Sequence, residues 1–153
     1  MTGKTLILGL GNLIFGDDGV GLKVAREIRK TWPQAPGIDI QEASLGGLAL
    51  LDLIAGYDRV IIVDAIITKK NRPGYVYKLN LEDLGNVSDV YGSHVLDLRT
   101  VVELGKILGH KIPGTIHIYA VEIKDNTQFS EHLSPVIEEA IPLIAAQIIN
   151  DLQ

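Results

Sequence analysis

Strand-like segments rich in apolar and β-branched residues alternate along this chain with stretches of helical periodicity. The clearest strand-like segments span residues 5–10 and 59–65, and a last one spans 115–121. Nearly unbroken apolar runs are typical of strands that are covered on both faces. Between the first two segments, Val20, Val24 and Ile28 recur at the helical spacing. The alternation predicts a three-layer α/β sandwich, in which helices cover both faces of a twisted, mostly parallel sheet of about five strands.

Shorter segments complete the predicted order of elements. Further strands are predicted at 38–42 and 75–79, and further helices at 48–54, from Ser93-His94 to Gly109, and from Ser134-Pro135 onward with a kink at Pro142. Segment 75–79 alternates in polarity, which is typical of a half-buried strand near a sheet edge. Because 153 residues suit one core of ordinary size and no linker interrupts them, residues 1–153 are predicted to be a single domain.

Charge and composition exclude several classes of function. The formal net charge of −5 argues against nucleic acid as a partner. The absence of cysteine excludes disulfides, thiolate metal sites and a cysteine nucleophile. No apolar stretch reaches the roughly 20 residues of a membrane helix, and the first residues lack the pattern of a signal peptide. We therefore expect a soluble, cytoplasmic protein without a membrane partner, for which a monomer is the simplest state.

Three polar residues fall where strands end or where the following helices begin. Asp18 opens the helix after the first strand, Asp64 breaks the apolar run at the end of the third, and His94 opens the helix before the last strand. Ligands of open α/β sheets bind just outside the carboxyl ends of the strands. If the first, third and fifth strands are neighbours, these side chains converge there. Two carboxylates and an imidazole suit nickel, zinc, iron or manganese.

Each of these residues also has a structural interpretation. Asp17 or Asp18 could cap the following helix and complement its dipole. Asp64 could accept hydrogen bonds from loop amides at the end of its strand. Ser93 precedes His94, but no Gly-x-Ser-x-Gly elbow is present, and Ser93 is better explained as a helix N-cap than as a nucleophile.

Two glycine pairs leave further alternatives open. Gly9-x-Gly11 could open a nucleotide-binding loop with Glu42 as the acidic partner, although no third glycine follows at the required spacing. The same glycines fit close packing of a strand against a helix equally well. The pair Gly46-Gly47 could form a loop around a bound peptide or a simple tight turn.

Taken in order, these motifs resemble those of the hydrogenase maturation endopeptidases, which process the large subunit of nickel–iron hydrogenases. The segments that carry the resemblance are Gly9-x-Gly11-Asn12, Asp17-Asp18-Gly19-x-Gly21, Val63-Asp64-Ala65, Ser93-His94, and Val121-Glu122 followed by Leu133-Ser134-Pro135. Together they extend from about residue 5 to residue 145. The segment 42–47 departs from the Gly-Gly-Thr type found in many members, which leaves the hydrogenase subgroup open.

The resemblance implies a five-stranded α/β fold and a metal-dependent or aspartic-type endopeptidase. Its substrate would be the large-subunit precursor, cut once near the C-terminus after nickel has been inserted. The metal-contacting positions of the family carry over to Asp18, Asp64 and His94, which we predict to be both catalytic and metal-contacting. Nickel would be carried by the precursor, and zinc or cadmium could replace it in a purified sample. The alternative is a non-catalytic maturation chaperone that binds nickel or the precursor.

Overall fold

One mixed sheet with helices on both faces organises the fold, in a computed structural model that describes residues 3–84, 94–124 and 128–153. The strands are β1 (Thr5–Leu10), β2 (Ile38–Ala43), β3 (Arg59–Ile66), β4 (Val76–Leu79) and β5 (Thr115–Glu122). The helices are α1 (Val20–Thr31), α2 (Ala49–Ile54), α3 (Leu81–Leu84), α4 (Leu98–Ile107) and α5 (Pro135–Leu152). A single 3-10 turn, Gly16–Gly19, connects β1 to α1.

The strand order places the ends of three strands side by side. The sheet of five strands has the order β2-β1-β3-β5-β4, and only β4 runs antiparallel to its neighbour. Because β1, β3 and β5 are adjacent and parallel, they finish together at what we call the carboxyl end of the sheet. The predicted α/β fold, the adjacency of these strands and the edge position of 75–79 are confirmed.

Successive residues of the central strands face two different hydrophobic cores. Ile61 and Val63 of β3 pack with α1 and α5, whereas Val60 and Ile62 pack with α2 and α4. This alternation follows from the strand geometry, which points neighbouring side chains to opposite faces. The fully apolar strands of the sequence are therefore explained by burial on both faces, and the three-layer prediction is confirmed. Among the described helices, none combines the length and apolar character that a membrane crossing requires.

Glycine allows α1 to approach the sheet at backbone distance. A Cβ atom added to Gly21 would lie 2.2 Å from the carbonyl oxygen of Val63 and 2.3 Å from that of Leu10. One added to Gly9 would lie 2.4 Å from the carbonyl oxygen of Gly21. The packing interpretation of the first glycine pair is thus confirmed. Glu42, the acid that a nucleotide site would have used, accepts hydrogen bonds from two arginines of α1.

The boundaries of the later helices differ in part from the sequence prediction. The helix predicted to start at Ser93-His94 starts at Leu98, and Ser93 lies outside the described residues. The reason is tertiary, because the amide of His94 is bound by a side chain of β3 and the chain turns before α4 begins. Gly109 does follow the C-cap of α4, with φ of +83°.

Two more helical predictions have different outcomes. The short helix α3 follows β4 in a stretch for which the sequence predicts no element. Ser134 is the N-cap of α5, as predicted, and α5 continues through Pro142. The kink at that proline stays a prediction.

Candidate active site at the carboxyl end of the sheet

Asp64 and His94 form a buried carboxylate–histidine pair. The side chain of Asp64 is fully buried near the end of β3. Its Oδ2 accepts a hydrogen bond of 2.6 Å from the backbone N–H of His94, and its Oδ1 lies 3.1 Å from His94 Nδ1. Oδ1 also accepts a bond of 2.9 Å from the N–H of Ala65. One carboxylate therefore fixes the backbone and the ring of His94 together. The bond from the His94 amide is of the loop-amide kind that the structural interpretation of Asp64 predicts, whereas Ala65 lies within β3.

The pairing decides which ring nitrogen of His94 is available for chemistry. An ionised carboxylate can only accept, so Nδ1 carries the hydrogen, and Nε2 of the neutral ring keeps its lone pair. The His94 side chain is 23% exposed, which leaves the ring accessible from outside. The hydrogen bond with Asp64 raises the pKa of His94 above its ordinary value, and the negative charges of Asp64 and Asp18 add to that effect, whereas burial opposes it. A carboxylate that holds a histidine in this way is a common arrangement behind metal-binding imidazoles.

Asp18 is buried on the 3-10 turn that follows β1, with 3% of its surface exposed. A Cβ atom added to Gly11 would lie 2.2 Å from the carbonyl oxygen of Asp18, so the turn rests against the end of β1. The charge of Asp18 contributes to the raised pKa of His94, which places the two groups within electrostatic range. Asp18, Asp64 and His94 thus belong to one region of the fold.

The three residues do not form a ready metal site in the described part of the chain. Across residues 3–84, 94–124 and 128–153, no group of three or more His, Asp or Glu side chains is arranged to hold a metal ion. Asp64 and His94 are in direct contact, and Asp18 interacts with His94 through its charge. Their assignment as a shared ligand set therefore stays a prediction.

The capping interpretation of Asp17 and Asp18 is wrong. Neither the 3-10 turn nor α1, whose N-cap is Gly19, has a side-chain capping bond. The cause is the intervening 3-10 turn, which puts both acids inside a turn rather than ahead of α1. Asp17 instead accepts two hydrogen bonds from Ser134, each of 2.7 Å, one from its N–H and one from its hydroxyl.

The glycine loop after β2 lies against the backbone of His94. A Cβ atom on Gly46 would lie 3.1 Å from the carbonyl oxygen of His94, whereas Gly47 has φ of +60° and open space around it. The sequence offered no indication of this contact, because the two segments are far apart in the chain. The loop of Gly46 and Gly47 therefore borders the candidate site.

A third buried acid, Glu122 at the end of β5, is bonded to the loop after β3 and to β4. Its carboxylate accepts hydrogen bonds of 2.8 Å from the N–H of Thr68 and from the hydroxyl of Tyr77, and a further one from the hydroxyl of Thr68. Sequence reasoning gave no role to Thr68 or Tyr77. The available signal was the acid itself, which ends the apolar run of β5 as Asp64 ends that of β3. This cluster ties the loop after β3 to β4 and β5.

Comparison with known proteins identifies relatives over nearly the whole chain. The family profile described as HycI, hydrogenase maturation protease, matches residues 22–151. The hydrogenase 2 maturation protease of Escherichia coli strain K12 is 26% identical over 151 residues, which cover 98% of this chain and 91% of the relative. Protein FrxA of Pyrococcus furiosus is 28% identical over 142 residues, which cover 87% of this chain and 96% of the relative.

Solved structures agree with the fold described above. The hydrogenase maturating endopeptidase HybD of Escherichia coli superimposes with a TM-score of 0.76 at 26% identity, covering 97% of this chain and 91% of HybD. The NiFe hydrogenase maturation protease HybD of Thermococcus kodakarensis gives a TM-score of 0.73 at 26% identity, with coverages of 97% and 98%. The resemblance found in the sequence motifs is confirmed by these matches.

Proposed function

Because this chain belongs to the hydrogenase maturation protease family, we propose that it is a single-domain endopeptidase acting on the large-subunit precursor of a nickel–iron hydrogenase. It removes a C-terminal peptide after nickel has been inserted into the precursor. The observation that carries the proposal is the buried Asp64–His94 pair at the carboxyl end of the sheet, with Asp18 in electrostatic range.

Nickel serves in this proposal as a part of the substrate. The Nε2 of His94 and the carboxylates of Asp18 and Asp64 are donors that nickel accepts, and the ion brings further ligands from the precursor. In the structure Asp64 is the partner of His94, so its contact with nickel would replace one of these hydrogen bonds. Zinc or cadmium accepts the same donors and would act as a substitute in a purified sample.

Hydrolysis then needs a water molecule near the scissile peptide bond. Nickel, or a carboxylate acting as a general base, activates this water against the carbonyl carbon. Asp64 already orients His94, so the carboxylate of Asp18 is the better candidate for the general base that takes the proton from this water. Placing the reacting groups through the ion can lower the barrier by about 7–11 kcal/mol in the most favourable cases. An acyl-enzyme is not part of the proposal, because the chain has no cysteine and no serine elbow.

The test mixes purified protein with nickel-loaded and with nickel-free precursor and follows the precursor mass. We expect loss of a short C-terminal peptide from the nickel-loaded form alone. His94→Ala is expected to remove this activity, while the matched control His110→Ala, at an exposed loop histidine, retains it. Binding of the loaded precursor without any cleavage would instead identify a maturation chaperone.

A further inference from the structure

The loop that carries Asp18 is bonded to the loop that leads into α5. The N–H of Gly16 donates to the carbonyl oxygen of Ser130 at 2.7 Å, and the N–H of Ser130 donates to that of Ile14 at 2.9 Å. Beside these bonds, the rings of Phe15 and Phe129 stack with their centroids 5.0 Å apart. The two loops therefore form one ribbon at the carboxyl end of the sheet.

Asp17 connects this ribbon to the start of helix α5. Both of its carboxylate oxygens accept bonds of 2.7 Å from Ser134, which is the N-cap of the 18-residue helix α5. The inward face of α5, including Ile137 and Ile144, is buried against the sheet and α1. Charge-assisted bonds of this length are the stronger kind, and two of them on one residue fix its orientation. Asp17 is thus anchored to an element that the core holds in place.

Asp18 is fixed from the opposite side by β1. Its carbonyl oxygen occupies the space that a side chain at Gly11 would need, and its N–H donates to the carbonyl oxygen of Phe15 at 3.2 Å. The backbone of Asp18 is therefore confined between the end of β1 and the neighbouring Asp17, which α5 anchors.

We propose that Asp17 is a positioning residue, whose bonds to Ser134 hold the 3-10 turn so that the carboxylate of Asp18 faces His94. This inference rests on the proposed function, since it concerns the placement of one of its catalytic groups. Asp17 takes no part in the chemistry itself, because its carboxylate is committed to Ser134. The loop of residues 128–134 becomes, through Asp17, a part of the catalytic framework.

The experiment compares Asp17→Ala, Ser134→Ala and Ser134→Thr in cleavage of nickel-loaded precursor, with kcat and KM determined separately. Asp17→Ala is expected to lower kcat about tenfold, as loss of an orienting partner typically does, and to leave KM nearly unchanged. Ser134→Ala loses only the hydroxyl bond, so its kcat should lie between those of Asp17→Ala and the parent protein. Ser134→Thr keeps a hydroxyl and recovers most of the rate.

Tyr57→Phe is the matched control, since it removes a hydrogen bond of 2.6 Å to the carboxylate of Asp39 near the opposite end of the sheet. It should change neither kcat nor KM, although we expect both Tyr57→Phe and Asp17→Ala to lower the free energy of unfolding measured in urea. If Asp17→Ala does not fold, Ser134→Ala carries the test, because it removes the hydroxyl bond and leaves the bond from the Ser134 N–H in place.

Two outcomes are separable. A kcat of Asp17→Ala, or of Ser134→Ala where Asp17→Ala does not fold, equal to that of Tyr57→Phe would overturn the positioning role and leave the protease intact. Failure of the parent protein to cut the loaded precursor would overturn the proposed function and, with it, this inference.

Discussion

Two buried acids at the ends of adjacent strands have different surroundings. Asp64 of β3 binds a half-buried histidine whose ring reaches the surface. Glu122 of β5 is equally buried, but its partners are two backbone amides and two hydroxyl groups. Burial alone therefore does not indicate chemistry. An acid becomes a candidate for function when its partner can itself bind a ligand or exchange a proton near solvent.

The largest expected effect comes from separating Asp64 and His94. We expect Asp64→Asn or His94→Ala to lower cleavage of nickel-loaded precursor by a factor of about 100 or more, because the imidazole loses its orientation or is absent. Circular dichroism should show that both variants remain folded, since the two residues lie at the end of the sheet. Cleavage by His94→Ala at the rate of the parent protein would show that the Asp64–His94 pair is not part of the catalytic site.

The pH dependence of cleavage should follow the pKa of His94, which its bond with Asp64 raises above the ordinary 6.5. Nickel needs the neutral ring, so activity should decline as the pH falls through this raised value. Asp64→Asn removes the largest cause, and the midpoint of any residual activity should move to lower pH. Cleavage rates measured from about pH 5 to about pH 9 check this, and Glu122→Gln should leave the midpoint in place.

The same pKa shift also predicts the pH dependence of stability. A group whose pKa is raised in the folded state stabilises the fold fully below its unfolded pKa, and this contribution is lost as the pH rises through the folded value. His94→Ala should therefore reduce the free energy of unfolding more at a pH below 6.5 than at a pH above the raised pKa. A reduction that does not vary with pH across this range would contradict the assignment. Urea titrations at both pH values measure the difference.

Glu122→Gln should have the opposite effects to those expected of Asp64→Asn, with a loss of stability but little loss of cleavage. We expect the free energy of unfolding to fall by about 1–3 kcal/mol, because a buried donor among Thr68 and Tyr77 loses its acceptor. The cleavage rate should stay close to that of the parent. A deep loss of cleavage with unchanged stability would show that both acids belong to the site.

The smallest effect is expected at Glu42, the acid at the end of β2. It accepts bonds from Arg26 and Arg29 at 2.9 and 3.0 Å, and both arginine side chains are nearly half exposed. Because partly exposed ion pairs contribute little, Glu42→Gln should cost less than about 1 kcal/mol of unfolding free energy and should not slow cleavage. Thermal unfolding and the precursor assay together measure both effects.

The sequence indicated the sheet well because burial on both faces leaves an unmistakable apolar run in β1 and β3. It also indicated Asp64, since a polar residue at the end of such a run interrupts a clear pattern, whereas His94 was selected as the start of a helix that in the structure begins at Leu98. The start of α4 was misplaced because the amide of His94 is bound by Asp64, a contact that spans 30 residues. Local helical signals carry no information about such a bond.

The contact between Asp17 and Ser134 could not be predicted either, because local sequence patterns carry no information about contacts between distant residues. Each residue has a familiar local role as a helix cap, which was predicted for Ser134 and left open for Asp17. Only the folded chain shows that one binds the other across 117 residues. The partners of Glu122 were missed likewise, because the hydroxyl groups of Thr68 and Tyr77 have no distinctive sequence pattern.

The span between Asp17 and Ser134 also affects the order in which the molecule matures. Asp17 leaves the ribosome early, yet the residue that restrains it is made 117 positions later. A nascent chain that ends before α5 already contains all five strands but lacks this restraint. Under the proposed positioning role of Asp17, synthesis of Ser134 is the step at which the first loop gains this restraint, and a product truncated before it is expected to cleave the precursor poorly.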